Sequence, residues 1–302
     1  MLQITKDFKE KIIKALLQQR NNFDGSDKAF AESFGINKSV FSRLKSGEVG
    51  KLLKDVQWLT IGRLLNVSPS SRTWNMAKTD VFNIIEEDVQ YCQEFSKARI
   101  LVDEVGIGKT HSAKYLSRTL KNCFYIDSKQ ARTKSRFIRL IAKTLGVESK
   151  GRYSDVKENL KYYLKMLPKP MIIIDDSGYL DYQAYLELLE LWDATEGVCG
   201  WYQIGDDSLR EKLERGISNK KVGYKAIFSR YSKRYSSIVP TDRLTKLAFY
   251  KKLIKDVLTV NMTNTEGIDK LVTRCLVTDD TTSLGDLRRA ESLLLLTQQA
   301  QS

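Results

Sequence analysis

Two short stretches carry residue types suited to phosphoryl chemistry. In Asp103-Glu104-Val105-Gly106-Ile107-Gly108-Lys109-Thr110, two glycines let a backbone close around an anion, a lysine can reach terminal phosphates, and a hydroxyl can ligate a hard cation. The stretch ends as the phosphate-loop pattern G-x-x-x-x-G-K-[ST] requires, but Asp103 stands where the first glycine belongs. About 65 residues downstream, Met171-Ile-Ile-Ile-Asp-Asp176 is an apolar run ending in two carboxylates. There Asp175, with Thr110, would support Mg2+, and Asp176 would orient the attacking water. A carboxylate at Asp103 would repel a triphosphate unless it points away. Asp176 reaches less far than a glutamate would. The motifs therefore predict ATP binding and slow hydrolysis.

These residues need a scaffold. Residues 98–102, Ala-Arg-Ile-Leu-Val, form an apolar run entering the loop, and residues 109–120 leave it as a helix. Backbone N–H groups at the positive end of that helix suit phosphate. The cofactor-binding set is thus Val105, Gly106, Ile107, Gly108, Lys109, Thr110 and His111. Further strands are expected at 123–126, 171–174 and 198–204, with a short fifth at 236–240, and helices at 133–145 and 154–167. Strands separated by helices imply a parallel sheet covered on both faces. After about residue 242 the strands stop, and 246–260, 265–275 and 284–299 read as helices. Residues 1 to about 67 read as helical throughout, and Ser68-Pro-Ser-Ser71 is the best linker. The expected fold class is α/β: an all-α domain over 1–70, a nucleotide-binding core over 71–241 and a helical lid over 242–302.

Composition narrows the chemistry. The 302 residues include 50 Lys and Arg against 37 Asp and Glu, a formal charge of +13, which suits an anionic partner such as nucleic acid. Four scattered cysteines form no C-x-x-C pair, and His111 is the only histidine, which excludes histidine-based triads and zinc clusters rich in histidine. No apolar stretch approaches the roughly 20 residues of a membrane span, and Met1 to Lys9 lacks the apolar centre of a secretion signal. The expected location is the cytoplasm or nucleoid, without a membrane partner.

Two segments suit DNA. Residues 28–48, KAFAESFGINKSVFSRLKSGE, resemble the helix-turn-helix of phage-repressor-like proteins. In such motifs the start of the second helix faces the bases, so Lys38, Ser39 and Arg43 become candidate contacts. Ile36, Val40 and Leu44 would hold the helix, with Phe41 either core or exposed. A basic cluster, Lys129, Arg132, Lys134, Arg136 and Arg139, follows the second strand and could meet phosphates without reading sequence.

Gly285-Asp-Leu-Arg288 resembles the second-sensor motif of AAA+ ATPases, which implies that Arg288 touches the nucleotide phosphates. The same resemblance implies a polar first sensor at Asp206, at the end of the fourth strand, where related ATPases often have asparagine. It also implies an arginine finger at Arg230, with Arg234 the competitor, reaching a neighbouring subunit's nucleotide. The order helix-turn-helix, AAA+ core and helical lid resembles the B transposition proteins of Mu-like phages. That resemblance implies a protein that binds ATP and Mg2+, forms a helical homo-oligomeric filament on double-stranded DNA with little sequence preference, and delivers the DNA to a transposase. A replication initiator or helicase-loader ATPase, a nucleotide-regulated repressor and a nucleotide-free scaffold are the alternatives.

Overall fold

The computed structural model describes residues 4–23, 25–50, 52–65, 67–69, 74–276 and 285–301. The chain opens with α1 (Lys6–Asn21), α2 (Asp27–Ser33), α3 (Lys38–Lys45) and α4 (Asp55–Leu64). Thr5 and Ser26 cap the first two by accepting the N–H groups of Phe8 and Ala29. Gly35 turns the chain between α2 and α3 with φ of 70°, a conformation that glycine adopts without strain. Phe8, Ile12, Leu16, Phe30, Phe41 and Trp58 fill the space between the four helices. Phe41, left open by the sequence, is therefore a core residue. The amide of Asn22 donates to the carbonyls of Ser117 and Cys123, which docks this helical unit on the next. Residues 70 and 71 of the expected linker lie outside the described residues.

Next come α5 (Asp80–Phe95), β1 (Ala98–Val102), α6 (Lys109–Thr119), β2 (Cys123–Asp127), α7 (Lys134–Leu145), α8 (Tyr153–Met166), β3 (Met171–Asp175), α9 (Tyr182–Ala194), β4 (Gly200–Gly205), α10 (Asp207–Ser218) and α11 (Tyr224–Arg230). The four strands are parallel, in the order β1-β4-β3-β2. Alternate residues serve opposite faces, as a period of two requires. Ile100, Val102, Ile172, Ile174 and Trp201 pack toward the side of α7 to α11. Leu101, Met171, Ile173, Tyr202 and Ile204 pack toward α5, α6 and the C-terminal helices. Every residue of β3 and β4 is buried, which explains why their sequences are apolar apart from Asp175 and Gln203.

The expected fifth strand is shorter than the sequence suggests. Among the described residues it is a single parallel bridge, Ser236 beside Leu101, with hydrogen bonds to Ile100 and Val102. Pro240, which has no N–H to donate, closes off further pairing at its far end. Helices α5, α9, α10 and α11 were not expected from the sequence. Val81, Phe82, Ile85, Val89 and Cys92 put the buried stripe of α5 directly against the sheet.

The chain then forms α12 (Arg243–Asn261), α13 (Ile268–Cys275) and α14 (Leu287–Gln301). Residue 284, where the last helix was expected to begin, lies outside the described residues. Tyr250, Leu253, Ile254, Leu271 and Ala290 join the apolar cluster of α5 and α6. This packing brings the start of α14 over the loop after β1, where the Leu287 N–H donates to the Gly106 carbonyl at 2.9 Å. Among the described residues, no helix is long and apolar enough to cross a membrane.

Candidate nucleotide-binding site

The carboxyl ends of β1 and β3 open into a cleft of about 770 Å³, the place where open parallel sheets bind ligands. Its lower wall is the loop between β1 and α6. Gly106 and Gly108 both have positive φ, 78° and 97°, so side chains there would be strained. A Cβ on Gly106 would also lie 2.4 Å from that of Asp286 on the lid. Ile107 is buried, so only its backbone can serve a ligand, whereas Val105 and His111 are exposed at the rim. The first-turn N–H groups of α6 face the cleft at the positive end of the helix.

Asp103 does not occupy the phosphate site. Its carboxylate turns away and accepts hydrogen bonds from the Glu104 N–H at 2.7 Å, the Val239 N–H at 3.0 Å and the Ile238 N–H. Only 6% of the residue is exposed. Where most loops of this pattern place a glycine, this one uses a buried anion to pin residues 237–239 beside β1.

Lys109 donates to the carbonyls of Asp103 and Glu104 at 2.6 and 2.5 Å, which holds its ammonium inside the loop. Burial lowers its pKa, against the opposing pull of Asp103, Asp175, Asp206 and Asp176. The Thr110 hydroxyl donates to Asp175 Oδ2 at 2.6 Å, so the two residues expected to share a cation meet directly. A second hydroxyl, that of Tyr125 on β2, reaches the same oxygen at 2.8 Å. Sequence reading passed over Tyr125; its signal is a hydroxyl in the middle of the strand Cys123–Asp127. Burial raises the Asp175 pKa, and the two hydroxyls oppose that rise. A hydroxyl beside a buried carboxylate, both hard oxygen donors, fits Mg2+.

Asp176 adopts a left-handed backbone with φ of 52° and pairs with Lys129 Nζ at 2.6 Å. Here the structure departs from expectation: Lys129, expected on a DNA-facing surface, lines the cleft and neutralises the proposed water-orienting carboxylate. Asp206 and Arg288 line the cleft. Arg230, expected to serve a neighbouring subunit's nucleotide, lies outside this cleft. It pairs with Asp193 at 2.6 Å and lies over the Trp192 ring, while Arg234 is exposed. Trp74, Asn75 and Met76 line the cleft and were missing from the sequence-based set. Asn75 and Asn261 exchange hydrogen bonds of 2.7 and 3.2 Å, which fasten this segment to α12.

The expected DNA contacts divide in two. Lys38, Ser39 and Arg43 are exposed on α3, with Arg43 bound to Glu48 at 2.7 Å. Arg136 is exposed, Arg132 lies over the Tyr179 ring, and Lys134 pairs with buried Glu187 at 3.1 Å. Arg139 is tied to the Ser149 and Gly151 carbonyls.

Residues 97–213 match the family model described as an AAA domain. The fold is that of an AAA+ P-loop protein. Its similarity to the Aeropyrum pernix ORC1 protein, solved in complex with DNA, has a TM-score of 0.50 at 16% identity and covers 76% of this chain and 60% of that one. For the Aeropyrum pernix ORC2 protein, solved as ADPNP–ADP complexes, the TM-score is 0.50 at 15% identity, with 74% and 67% covered. This chain thus spans well under the full length of the first of these proteins. A comparison with curated sequences finds no match.

Proposed function

We propose that this chain is a DNA-associated AAA+ ATPase whose assembly on DNA is set by the nucleotide it holds. The observation that carries the reading is the hydrogen bond between Thr110 and Asp175, which joins the phosphate loop to the end of β3. In this reading the α6 N–H groups receive the β-phosphate, and Lys109 exchanges its two carbonyl partners for the β- and γ-phosphate oxygens. Thr110 and Asp175 would hold Mg2+, which supplies charge neutralisation between those phosphates. Asp176 orients the attacking water once Lys129 releases it. The water oxygen then bonds to the γ-phosphorus, the bond to the β,γ-bridging oxygen breaks, and ADP and phosphate leave. Arg288 meets the phosphates from the lid. Arg230, outside its own cleft, serves a neighbouring subunit after parting from Asp193.

Among the biological roles open to such an ATPase, the initiator or helicase-loader class stands first, because the archaeal proteins of similar fold include one solved on DNA. Delivery of target DNA to a transposase is the second reading. It is favoured by the helical unit with exposed Lys38, Ser39 and Arg43 ahead of the core, the order found in B transposition proteins. Footprinting on a long duplex with ATP tests the proposal. Protection that needs ATP is expected, continuous for a filament and discrete for an origin- or operator-reading protein. Absence of protection, or protection indifferent to nucleotide, would overturn it.

A further inference from the structure

The cations that the sequence nominates for DNA are mostly committed within the molecule. Lys129 pairs with Asp176, Lys134 with Glu187 and Arg43 with Glu48, and Arg139 is bound to carbonyls. A different segment also carries a large excess of positive charge. Residues 207–234, spanning α10 and α11, contain nine Lys and Arg against three Asp and Glu. That difference supplies nearly half of the chain's formal charge of +13.

Arg215, Lys220, Lys221, Lys225, Lys233 and Arg234 are all exposed, and none forms an ion pair among the described residues. Two of them, Lys220 and Lys233, have φ of 51° and 54°. Glycine would fill such turns with less strain, so a cation is held there against backbone preference. Arg215, Asn219 and Lys221 line a groove of about 230 Å³ with Lys212 and Tyr224. Lys221 lies 4.0 Å from the centre of the Tyr182 ring, and that ring stacks on Tyr224 with a 13° interplanar angle.

This surface is also wired to the nucleotide site. Lys212, on α10, donates to the carbonyls of Gly178 and Leu180, in the turn that directly follows Asp175 and Asp176. Tyr179 of the same turn carries Arg132 over its ring, so the basic strip continues from α10 to the segment after β2.

We propose that the face formed by α10, α11 and their connecting turn is a nucleic-acid surface that grips the phosphate backbone through Arg215, Lys220, Lys221 and Lys225. Unpaired cations grouped around a polar groove, with aromatic rings beside them, suit a polyanion that is contacted without base readout. This inference rests on the reading of the chain as a DNA-associated ATPase and says where the DNA lies.

The test uses the full chain, a fluorescein-labelled duplex of random sequence, and the variant Lys220→Gln/Lys221→Gln/Lys225→Gln. All three positions are exposed, so thermal melting and nucleotide binding should match the parent. Anisotropy titrations over a salt series should show affinity reduced about 10-fold or more, with the slope of log K against log salt shallower by about 2 to 3. A parent that binds DNA and a variant with the same affinity and slope would overturn this inference alone. A parent that binds no DNA would overturn the broader reading with it. Should the variant lose affinity for poly-glutamate while keeping its DNA affinity, the surface serves an acidic protein and the proposal fails.

Discussion

Replacing Asp103 by glycine restores the usual phosphate-loop pattern, and the expected outcome is a weaker protein, not a better enzyme. The Asp103 carboxylate receives the N–H groups of Glu104, Ile238 and Val239 and is almost wholly buried. Hydrogen bonds to a charged acceptor contribute about 1.5–3 kcal/mol each, and a buried donor without a partner costs about 1–3 kcal/mol. Partial rehydration of the Glu104 N–H, which is only half-buried, reduces the sum, so the net loss should be about 3–5 kcal/mol. Glycine also adds unfolded-state freedom of about 0.5–1 kcal/mol. At roughly 2–4 °C per kcal/mol, the melting temperature should fall by on the order of 10 °C. Asp103→Asn keeps one neutral acceptor and should lose about half as much. Differential scanning calorimetry of the three proteins at neutral pH decides the matter. A glycine variant as stable as the parent would refute the pinning role and return Asp103 to the status of an unexplained departure from the motif.

Three further outcomes follow from contacts in and around the site. Lys129→Ala frees Asp176; for a half-exposed pair of about 0.5–1 kcal/mol, DNA-independent ATP hydrolysis should rise about 2–5-fold, and an unchanged or lower steady-state rate would contradict the restraining role of Lys129. Glu104 receives Lys246 and Tyr250 from α12, so Glu104→Gln with Tyr250→Phe should loosen the lid and speed release of a fluorescent nucleotide analogue about 3–10-fold, a change of about 1 kcal/mol; equal off-rates would show that the lid is held by its apolar packing alone. Burial opposes ionisation of Glu187, yet Lys157, Tyr153 and Lys134 outweigh it and leave the pKa below its ordinary 4.5. A carboxylate shifted downward stabilises the fold above its unfolded pKa and loses that contribution as pH falls through the folded value. Urea denaturation should therefore show stability declining below about pH 4.5, with a shallower decline in Lys157→Met; identical pH profiles would count against the network.

Much of the site was legible because its parts obey local rules. Glycines at positive φ, a lysine and threonine at a helix start, and an apolar strand ending in carboxylates announce themselves by type and spacing. What stayed hidden depends on contacts across the chain. Asp103 looks like a defect until Val239 and Ile238 are seen to lie 135 residues or more away in sequence but within hydrogen-bond reach. Tyr125 is an ordinary strand residue until β2 is placed beside β3. Lys129 belongs to a basic run by sequence and to an acidic cleft by position. The helix α5 carries a readable stripe in Val81, Phe82, Ile85 and Val89, reinforced by the Thr79 cap, whereas α11 is only 7 residues long, too short for periodicity to separate it from a loop. The fifth strand shows the reverse error: β-branched residues at 238 and 239 suggest pairing, but Ile238 and Val239 give their N–H groups to Asp103 instead of to a strand.

The central claim is that the loop after β1 and the carboxylates after β3 form one nucleotide site. Calorimetric titration of Mg2+–ATP into the full chain and into its Lys109→Ala variant tests it most directly. The account predicts one site per chain for the parent, with affinity reduced at least about 10-fold in the variant, where the contact to the β- and γ-phosphates is lost. A parent that binds no nucleotide, or a variant that binds with the same affinity, would contradict it.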